Sequence, residues 1–132
     1  MSQQNVQTMR RAYEAFNRQD IPAVLEAFAP DIEWVEPGGG RAPAGTFRGA
    51  ESVAADVFGL IPQHFAKFGA DAAQFIDAGD DDVIVVGRMT GTAKSGGTLD
   101  APFVHVWRMR DGRAAGFRHY VEAAPWAAAW GG

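Results

Sequence analysis

The amino-acid sequence predicts an α+β fold in which helices cover one face of a curved, mainly antiparallel sheet. Two patterns carry this prediction: apolar residues recur at helical spacing in the first half of the chain, and the period changes to two from Phe68 onward. The second half then contains four long alternating segments joined by short turns, which is typical of an antiparallel meander. Because no repeat or linker interrupts the 132 residues, we expect a single domain over residues 1–132.

Three helices are predicted in the first half of the chain. The first covers residues 5–18. Its apolar stripe is formed by Val6, Met9, Tyr13 and Phe16. Asp20 is a suitable N-cap for a short second helix, because its side chain accepts a hydrogen bond from the first turn. A third helix is expected from about residue 50 to about residue 65.

The sheet is predicted to begin with a short strand at residues 29–37, where the side chains alternate between the two faces. Glu36 falls on the same, buried face of this strand as Trp34. The next segment, residues 37–48, is too rich in glycine and proline for regular structure and is expected to be a loop. The remaining strands are expected at residues 70–77, 82–94, 98–110 and 114–122.

Composition narrows the classes of function. The formal net charge is −4 and the isoelectric point is about 5.2, which argues against nucleic acid as a partner because phosphate binding needs clustered basic groups. The chain has no cysteine, which excludes disulfides, thiolate catalysis and cysteine-based zinc sites. No apolar run approaches the ~20 residues of a membrane-spanning helix, and no signal peptide is visible. We therefore expect a cytoplasmic protein without a membrane partner.

The last two predicted strands contain two of the three histidines, His105 and His119. A two-residue turn at Asp111-Gly112 would place them on opposite faces of the sheet, whereas a three-residue loop would place them on the same face. The apolar pattern favours the three-residue loop, because only that register sets large apolar side chains against each other. The side chains that it pairs are Phe103, His105, Trp107 and Met109 with Val121, His119, Phe117 and Ala115. Both histidines are therefore predicted to point inward.

The polar groups on this buried face have two interpretations from the residues alone. Inward histidines are either hydrogen-bonded core residues or members of a site, and two on one face favour the site because a dry core supplies few partners. Glu36 is either a surface residue at a frayed strand end or a base held under a flexible loop.

Three segments resemble the SnoaL-like branch of the nuclear transport factor two-like superfamily: "RRAYEAFNRQDIPAVLEAFAPDIEWVEP", "AGTFRGAESV" and "PFVHVWRMRDGRAAGFRHYVE". The resemblance covers about residues 5–125 of the chain. That superfamily includes ketosteroid isomerases, limonene-epoxide hydrolases and polyketide cyclases. The resemblance implies a cone-shaped α+β barrel, in which a strongly bent sheet encloses a cavity closed by three helices. It also implies a homodimer formed through the sheet.

The resemblance implies three catalytic positions. Glu36 stands where the isomerases have their aspartate base, directly before the proline that ends the first strand. His105 stands where the isomerases have a second aspartate that hydrogen-bonds the oxyanion, and where the polyketide cyclases have a histidine. His119 stands where the cyclases have a catalytic aspartate, which is a departure from their pattern.

Two other family patterns match this chain less well. The oxyanion tyrosine of the isomerases corresponds to Ala12, so the neighbouring Tyr13 is predicted to be a core residue. The epoxide hydrolases need an Arg-x-Asp and a final Asp, and this chain has Val86, Arg88 and His119 at those positions. Epoxide hydrolysis by that triad is therefore excluded as a direct copy.

The resulting hypothesis is an isomerase or aldol-type cyclase that removes a proton α to a carbonyl group. Glu36 would abstract the proton, His105 would polarise the carbonyl, and His119 would shuttle the proton or orient its neighbours. A flat, largely apolar substrate is expected to contact Trp34, Arg88, Phe103, Trp107 and Phe117. No cofactor is predicted, because the glycines that follow Glu36 lack the spacing of a dinucleotide-binding loop. Two histidines and a glutamate could hold a metal, but no metal site is predicted. The alternative is a non-catalytic domain of the same fold that binds a small ligand or dimerises.

Overall fold

A computed structural model describes residues 2–36, 45–121 and 125. The helical elements are α1 (Ser2–Asn17), α2 (Ile21–Glu26), α3 (Ala50–Asp56), a 3-10 turn (Phe58–Leu60) and α4 (Ile61–His64). The strands are β1 (Phe28–Glu36), β2 (Gly45–Arg48), β3 (Phe65–Gly79), β4 (Asp82–Ala93), β5 (Thr98–Arg110) and β6 (Arg113–Val121). None of the helices in the described part of the chain is long and apolar enough to cross a membrane.

The six strands form one sheet in the order β2-β1-β6-β5-β4-β3. Every neighbouring pair is antiparallel except β1 and β6, which run parallel. One face of the sheet packs with the helices into a single hydrophobic core, to which α1 contributes Met9 and Tyr13 and α3 contributes Val53. The predicted α+β class, with helices packed on a curved and mainly antiparallel sheet, is confirmed.

The sheet bends where β3 approaches β4 closely. The register of this pair shifts between Ala72 and Gln74, which marks a β-bulge. Gly87 lies opposite the bulge, and a Cβ atom placed on it would be 2.1 Å from the carbonyl oxygen of Asp71. Only glycine therefore fits at this point of β4.

Two helical predictions have different outcomes. The second helix begins as expected, since Asp20 is its N-cap and accepts a hydrogen bond from the backbone N–H of Ala23 at 3.3 Å. The continuous third helix predicted for residues 50–65 is wrong, because α3 ends at Asp56 and is followed by the 3-10 turn and α4. Pro62 lacks the N–H that a continuous helix would bond to the carbonyl of Phe58.

Two predictions for the sheet also need correction. The predicted loop at residues 37–48 contains β2, which pairs with β1 and sets Phe47 opposite Trp34. Residues 37–44 of that loop lie outside the described residues. The strand predicted at residues 70–77 begins earlier, because β3 already pairs with β4 at Phe65.

The β5–β6 hairpin has the predicted register from Phe103 to Trp107, but Met109 pairs with Ala114 rather than with the predicted Ala115, and the loop also differs. Its turn has two residues, Asp111 and Gly112, both with positive φ, and Arg110 pairs directly with Arg113. The register then shifts by one residue at Ala115, which is a β-bulge. The three-residue loop is therefore wrong, although the bulge restores the parity that the loop was expected to supply.

Candidate active site

The sheet brings the three predicted catalytic residues to adjacent strands. Glu36 is the last residue of β1, His119 lies on the neighbouring β6, and His105 lies on β5 beyond it. The two histidines are directly opposite each other, with ring centroids 4.6 Å apart and the rings nearly perpendicular. Both point into the core, where 5% of His105 and 8% of His119 is exposed. The prediction that they share the inner face is confirmed.

Glu36 and His119 form a buried hydrogen-bonded pair. Glu36 Oε1 lies 2.9 Å from His119 Nδ1, and the exposed fractions of the two side chains are 10% and 7%. The other carboxylate oxygen, Oε2, accepts a hydrogen bond from Trp34 Nε1 at 2.6 Å. Of the two interpretations of Glu36, the structure therefore supports the enclosed carboxylate rather than the residue at a frayed surface end.

This hydrogen bond determines which nitrogen of His119 carries a proton. A carboxylate oxygen accepts, so the proton of the shared hydrogen bond belongs to His119 Nδ1. In the neutral ring the second nitrogen, Nε2, is then an acceptor. The pair has the arrangement of an imidazole base that is oriented by a carboxylate.

His105 forms a hydrogen bond with Tyr13, which the sequence analysis predicts only as a core residue. Its Nδ1 lies 2.5 Å from the hydroxyl oxygen of Tyr13, which projects from α1. The same oxygen accepts a hydrogen bond from Trp107 Nε1 at 2.9 Å. Tyr13 is buried as predicted, but its hydroxyl belongs to the polar group around His105. The signal that could have found it is general: the hydroxyl of a buried tyrosine needs a partner.

Burial controls the protonation of both groups. It holds the pKa of His105 well below its usual value, and the charge of a protonated His119 lowers that pKa further. Burial raises the pKa of the Tyr13 hydroxyl, although the hydrogen bond from Trp107 acts in the opposite direction. At neutral pH His105 is thus an uncharged imidazole and Tyr13 is a protonated phenol.

Aromatic rings surround the polar groups. Trp34 stacks on Phe117 with ring centroids 3.8 Å apart, and Phe103 stacks on His105 at 3.9 Å. Trp107 packs against Phe117 at 4.5 Å. Four of the five predicted substrate contacts therefore lie together at the histidines.

Arg88 is the predicted substrate contact that the structure does not bring to the site. It lies on the outer face of β4, because its neighbours Gly87 and Met89 are the residues that point inward. Its guanidinium forms a largely exposed ion pair with Asp100 on β5, at 2.6 Å. The prediction that Arg88 contacts the substrate is therefore wrong, and the alternation of β4 is the sequence signal that argues against it.

A buried nitrogen of His105 is available to a ligand. His105 Nε2 is buried and has no hydrogen-bond partner among the residues that the structure describes. A buried polar atom of this kind is uncommon in folded proteins and is a suitable contact for a ligand. Within residues 2–36 and 45–121, no group of three or more histidine, aspartate or glutamate side chains is arranged to hold a metal ion.

Helices packed on one face of a curved sheet are the cone-shaped α+β fold of the nuclear transport factor two-like proteins. The chain belongs to the SnoaL-like domain family, whose model matches residues 9–117. It is 32% identical over 92 residues to an uncharacterised protein of Mycobacterium tuberculosis, a match that covers 70% of this chain and 69% of that protein.

Two solved structures show the same fold at higher coverage. A nuclear transport factor two-like protein of unknown function from Burkholderia pseudomallei is 39% identical, with 92% of each chain covered and a TM-score of 0.83. TerC, crystallised with polyporic acid, is 30% identical and has a TM-score of 0.82. That match covers 90% of this chain and 92% of TerC.

Proposed function

We propose that this protein is an enzyme that removes a proton from the carbon next to a carbonyl group, as an isomerase or an aldol-type cyclase. The observation that carries the proposal is the buried hydrogen bond between Glu36 and His119, directly beside His105. A base next to an oxyanion donor in an enclosed apolar site is the minimum that enolisation requires.

The Glu36–His119 pair acts as one base. Both oxygens of Glu36 already accept hydrogen bonds, from His119 and from Trp34, so the carboxylate is better placed to orient the imidazole than to meet the substrate. His119 takes the proton at Nε2, and Glu36 stabilises the imidazolium that forms. This assignment revises the hypothesis from sequence, in which Glu36 took the proton itself.

His105 stabilises the charge that develops on the substrate. When the C–H bond breaks, its electron pair moves into the new carbon–carbon double bond and the carbonyl oxygen becomes an enolate. A neutral imidazole donates a hydrogen bond to that oxygen without placing a full positive charge next to His119. The low pKa of His105 keeps the ring in that neutral form.

The enolate has two productive fates. In an isomerase, the imidazolium of His119 returns the proton to a different carbon, and the double bond moves. In an aldol-type cyclase, the enolate carbon attacks a second carbonyl of the same molecule, and the resulting alkoxide takes the proton. Neither reaction needs an oxidant or a second substrate.

The substrate is proposed to be flat and largely apolar. The rings of Trp34, Phe103, Trp107 and Phe117 form the wall around the polar groups, and such rings favour aromatic or conjugated ligands. The crystallisation of TerC, which is 30% identical, together with polyporic acid supports a small organic substrate.

The proposal is tested by deuterium exchange into 1-tetralone and 2-cyclohexenone in deuterated buffer, followed by mass spectrometry. We expect the wild-type protein to accelerate exchange at the carbon that is deprotonated, and Glu36→Gln to lose about 100-fold or more of that rate. Glu33→Gln is the matched control, because Glu33 lies on the same strand and forms an ion pair with Arg48 at 2.5 Å, away from the site.

The competing interpretation is a pocket without chemistry. Polyporic acid that binds to the protein, combined with no exchange into any ketone of a broad panel, would favour that interpretation and contradict the proposed reaction. Equal rates for Glu36→Gln and Glu33→Gln would contradict the proposed base.

A further inference from the structure

We propose that Tyr13 is a positioning residue that holds His105 in the tautomer with its proton on Nε2, so that the ligand atom that meets His105 is an acceptor oxygen. The ligand part of this inference rests on the proposed function. The tautomer itself rests on the hydrogen bonds alone.

Trp107 determines the direction of the first hydrogen bond. An indole N–H only donates, so the hydroxyl oxygen of Tyr13 must be the acceptor at 2.9 Å. The phenol proton remains available for a second bond. Within the described residues, the acceptor that lies in its reach is His105 Nδ1, at 2.5 Å.

The tautomer of His105 follows from that second bond. A nitrogen that accepts carries no proton, and a neutral imidazole has one proton, which therefore belongs to Nε2. The reverse direction, with Nδ1 as the donor, would leave the phenol proton of Tyr13 buried without an acceptor in the described part of the chain. The chain of donors thus runs from Trp107 through Tyr13 to His105.

The surrounding rings hold His105 in this orientation. Phe103 stacks on the imidazole with an interplanar angle of 15°, and Tyr13 lies nearly parallel to it at a centroid distance of 5.9 Å. His119 and Phe117 meet the ring close to edge-on. His119 and Tyr13 are the two titratable side chains among these neighbours.

The consequence is a specific requirement on the ligand. His105 Nε2–H is a buried donor without a partner among the described residues, so a carbonyl, enolate or carboxylate oxygen satisfies it. A ligand with a methylene at that point leaves the donor unpaired, and a ligand with an ammonium group presents a second donor. Tyr13 therefore contributes to specificity without touching the substrate.

The tautomer is measured by long-range proton–nitrogen correlation spectra of the protein labelled with nitrogen-15 in histidine. The signals are assigned with His64→Gln and His119→Gln. We expect a neutral His105 with a protonated Nε2 and an unprotonated Nδ1 at pH 7, and a hydrogen-bond coupling between the Tyr13 hydroxyl proton and Nδ1. A protonated Nδ1 would overturn the inference.

Tyr13→Phe tests whether Tyr13 sets the tautomer. We expect this variant to show a mixture of the two neutral tautomers or the opposite one. Phe75→Leu is the matched control, since Phe75 packs edge-on against the Tyr13 ring at 5.4 Å but offers no hydroxyl, and it should keep the wild-type tautomer. An unchanged single tautomer in Tyr13→Phe would show that Tyr13 does not position His105. If Tyr13→Phe does not fold, the hydroxyl coupling in the wild-type protein decides the point.

The ligand requirement is tested with 2-tetralone and tetralin, which share a carbon frame and differ in the carbonyl oxygen. We expect 2-tetralone to shift the His105 Nε2–H signal and tetralin to leave it unchanged. Equal shifts with both compounds would contradict the acceptor requirement. If His105 has the stated tautomer but no ketone exchanges deuterium, the proposed reaction fails and the positioning role of Tyr13 stands. If ketones exchange deuterium but Nδ1 of His105 is protonated, the proposed reaction stands and the positioning role fails.

Discussion

Glu36 Oε1 lies 2.9 Å from His119 Nδ1, although the two residues are 83 positions apart in the chain. The parallel pairing of β1 and β6 creates this contact, because it sets Val35 beside Arg118 and therefore brings the next residue of each strand together. The carboxylate reaches a histidine that departs from the cyclase pattern. The histidine that departs from the cyclase pattern is thus hydrogen-bonded to the carboxylate at the end of β1.

Protonation of His105 is expected to make stability depend on pH. Burial holds the pKa of His105 in the folded protein well below the value of 6.5 in the unfolded chain. As pH falls below about 6.5, the unfolded state binds a proton that the folded state does not, so the free energy of unfolding falls by up to about 1.4 kcal/mol per pH unit. The loss ends where the pH passes the folded pKa. Urea denaturation between pH 7.5 and 5.5 measures this slope.

His105→Gln is the control for that slope. The variant removes the group that titrates and leaves the carboxylates, His64 and His119 in place. We expect a shallower dependence of the unfolding free energy on pH in this window. Identical slopes in the two proteins would mean that His105 is not kept neutral by burial.

Gly87→Ala is expected to destabilise the protein. The added Cβ would meet the backbone oxygen of Asp71 at 2.1 Å, and backbone in a paired strand cannot move as a flexible side chain does. Overpacking of this kind costs about 1–3 kcal/mol, which urea denaturation resolves. Gly116→Ala is the control, since its nearest neighbour is a side-chain carbon at 3.4 Å. A similar small effect at both positions would contradict the close approach of β3 and β4.

The homodimer implied by the family stays a prediction, and the outer face of the sheet offers a test. Val104 and Tyr120 face each other there across β5 and β6 and are 36% and 54% exposed. In sedimentation experiments we expect the wild-type protein to be a dimer. Val104→Lys should be a monomer, because the variant would bury a charge in the contact between the subunits. Gln63→Lys, on exposed α4, should remain dimeric. A monomeric wild-type protein would contradict the prediction.

The sequence predicted the inward histidines better than it predicted their loop. The apolar pairing of Trp107 with Phe117 determines the register of the hairpin, so the faces were correct whichever loop closed it. The β-bulge at Ala115 could not be predicted from the sequence, because alanine is compatible with many backbone conformations and gives no signal for a bulge. The prediction for Arg88 is wrong for a different reason: the alternation of β4 places it on the outer face, between the inward Gly87 and Met89.

The contact between Tyr13 and His105 could not be predicted from spacing. It joins α1 to β5 across 92 positions, and it depends on how the helix sits on the sheet. The hydrophobic stripe of α1 predicted which face is buried but not which atom of the sheet each side chain meets. The residues of the candidate site were therefore accessible to sequence reasoning, whereas its hydrogen bonds were not.

The coupling between Glu36 and His119 in the exchange rate tests the central claim most directly. The rate of deuterium exchange into 1-tetralone is measured for wild type, Glu36→Gln, His119→Gln and the double variant. If the two residues form one base, the double variant is no slower than the slower single variant, since either change already disables the pair. Losses that multiply in the double variant, or single variants that exchange as fast as wild type, would contradict the account.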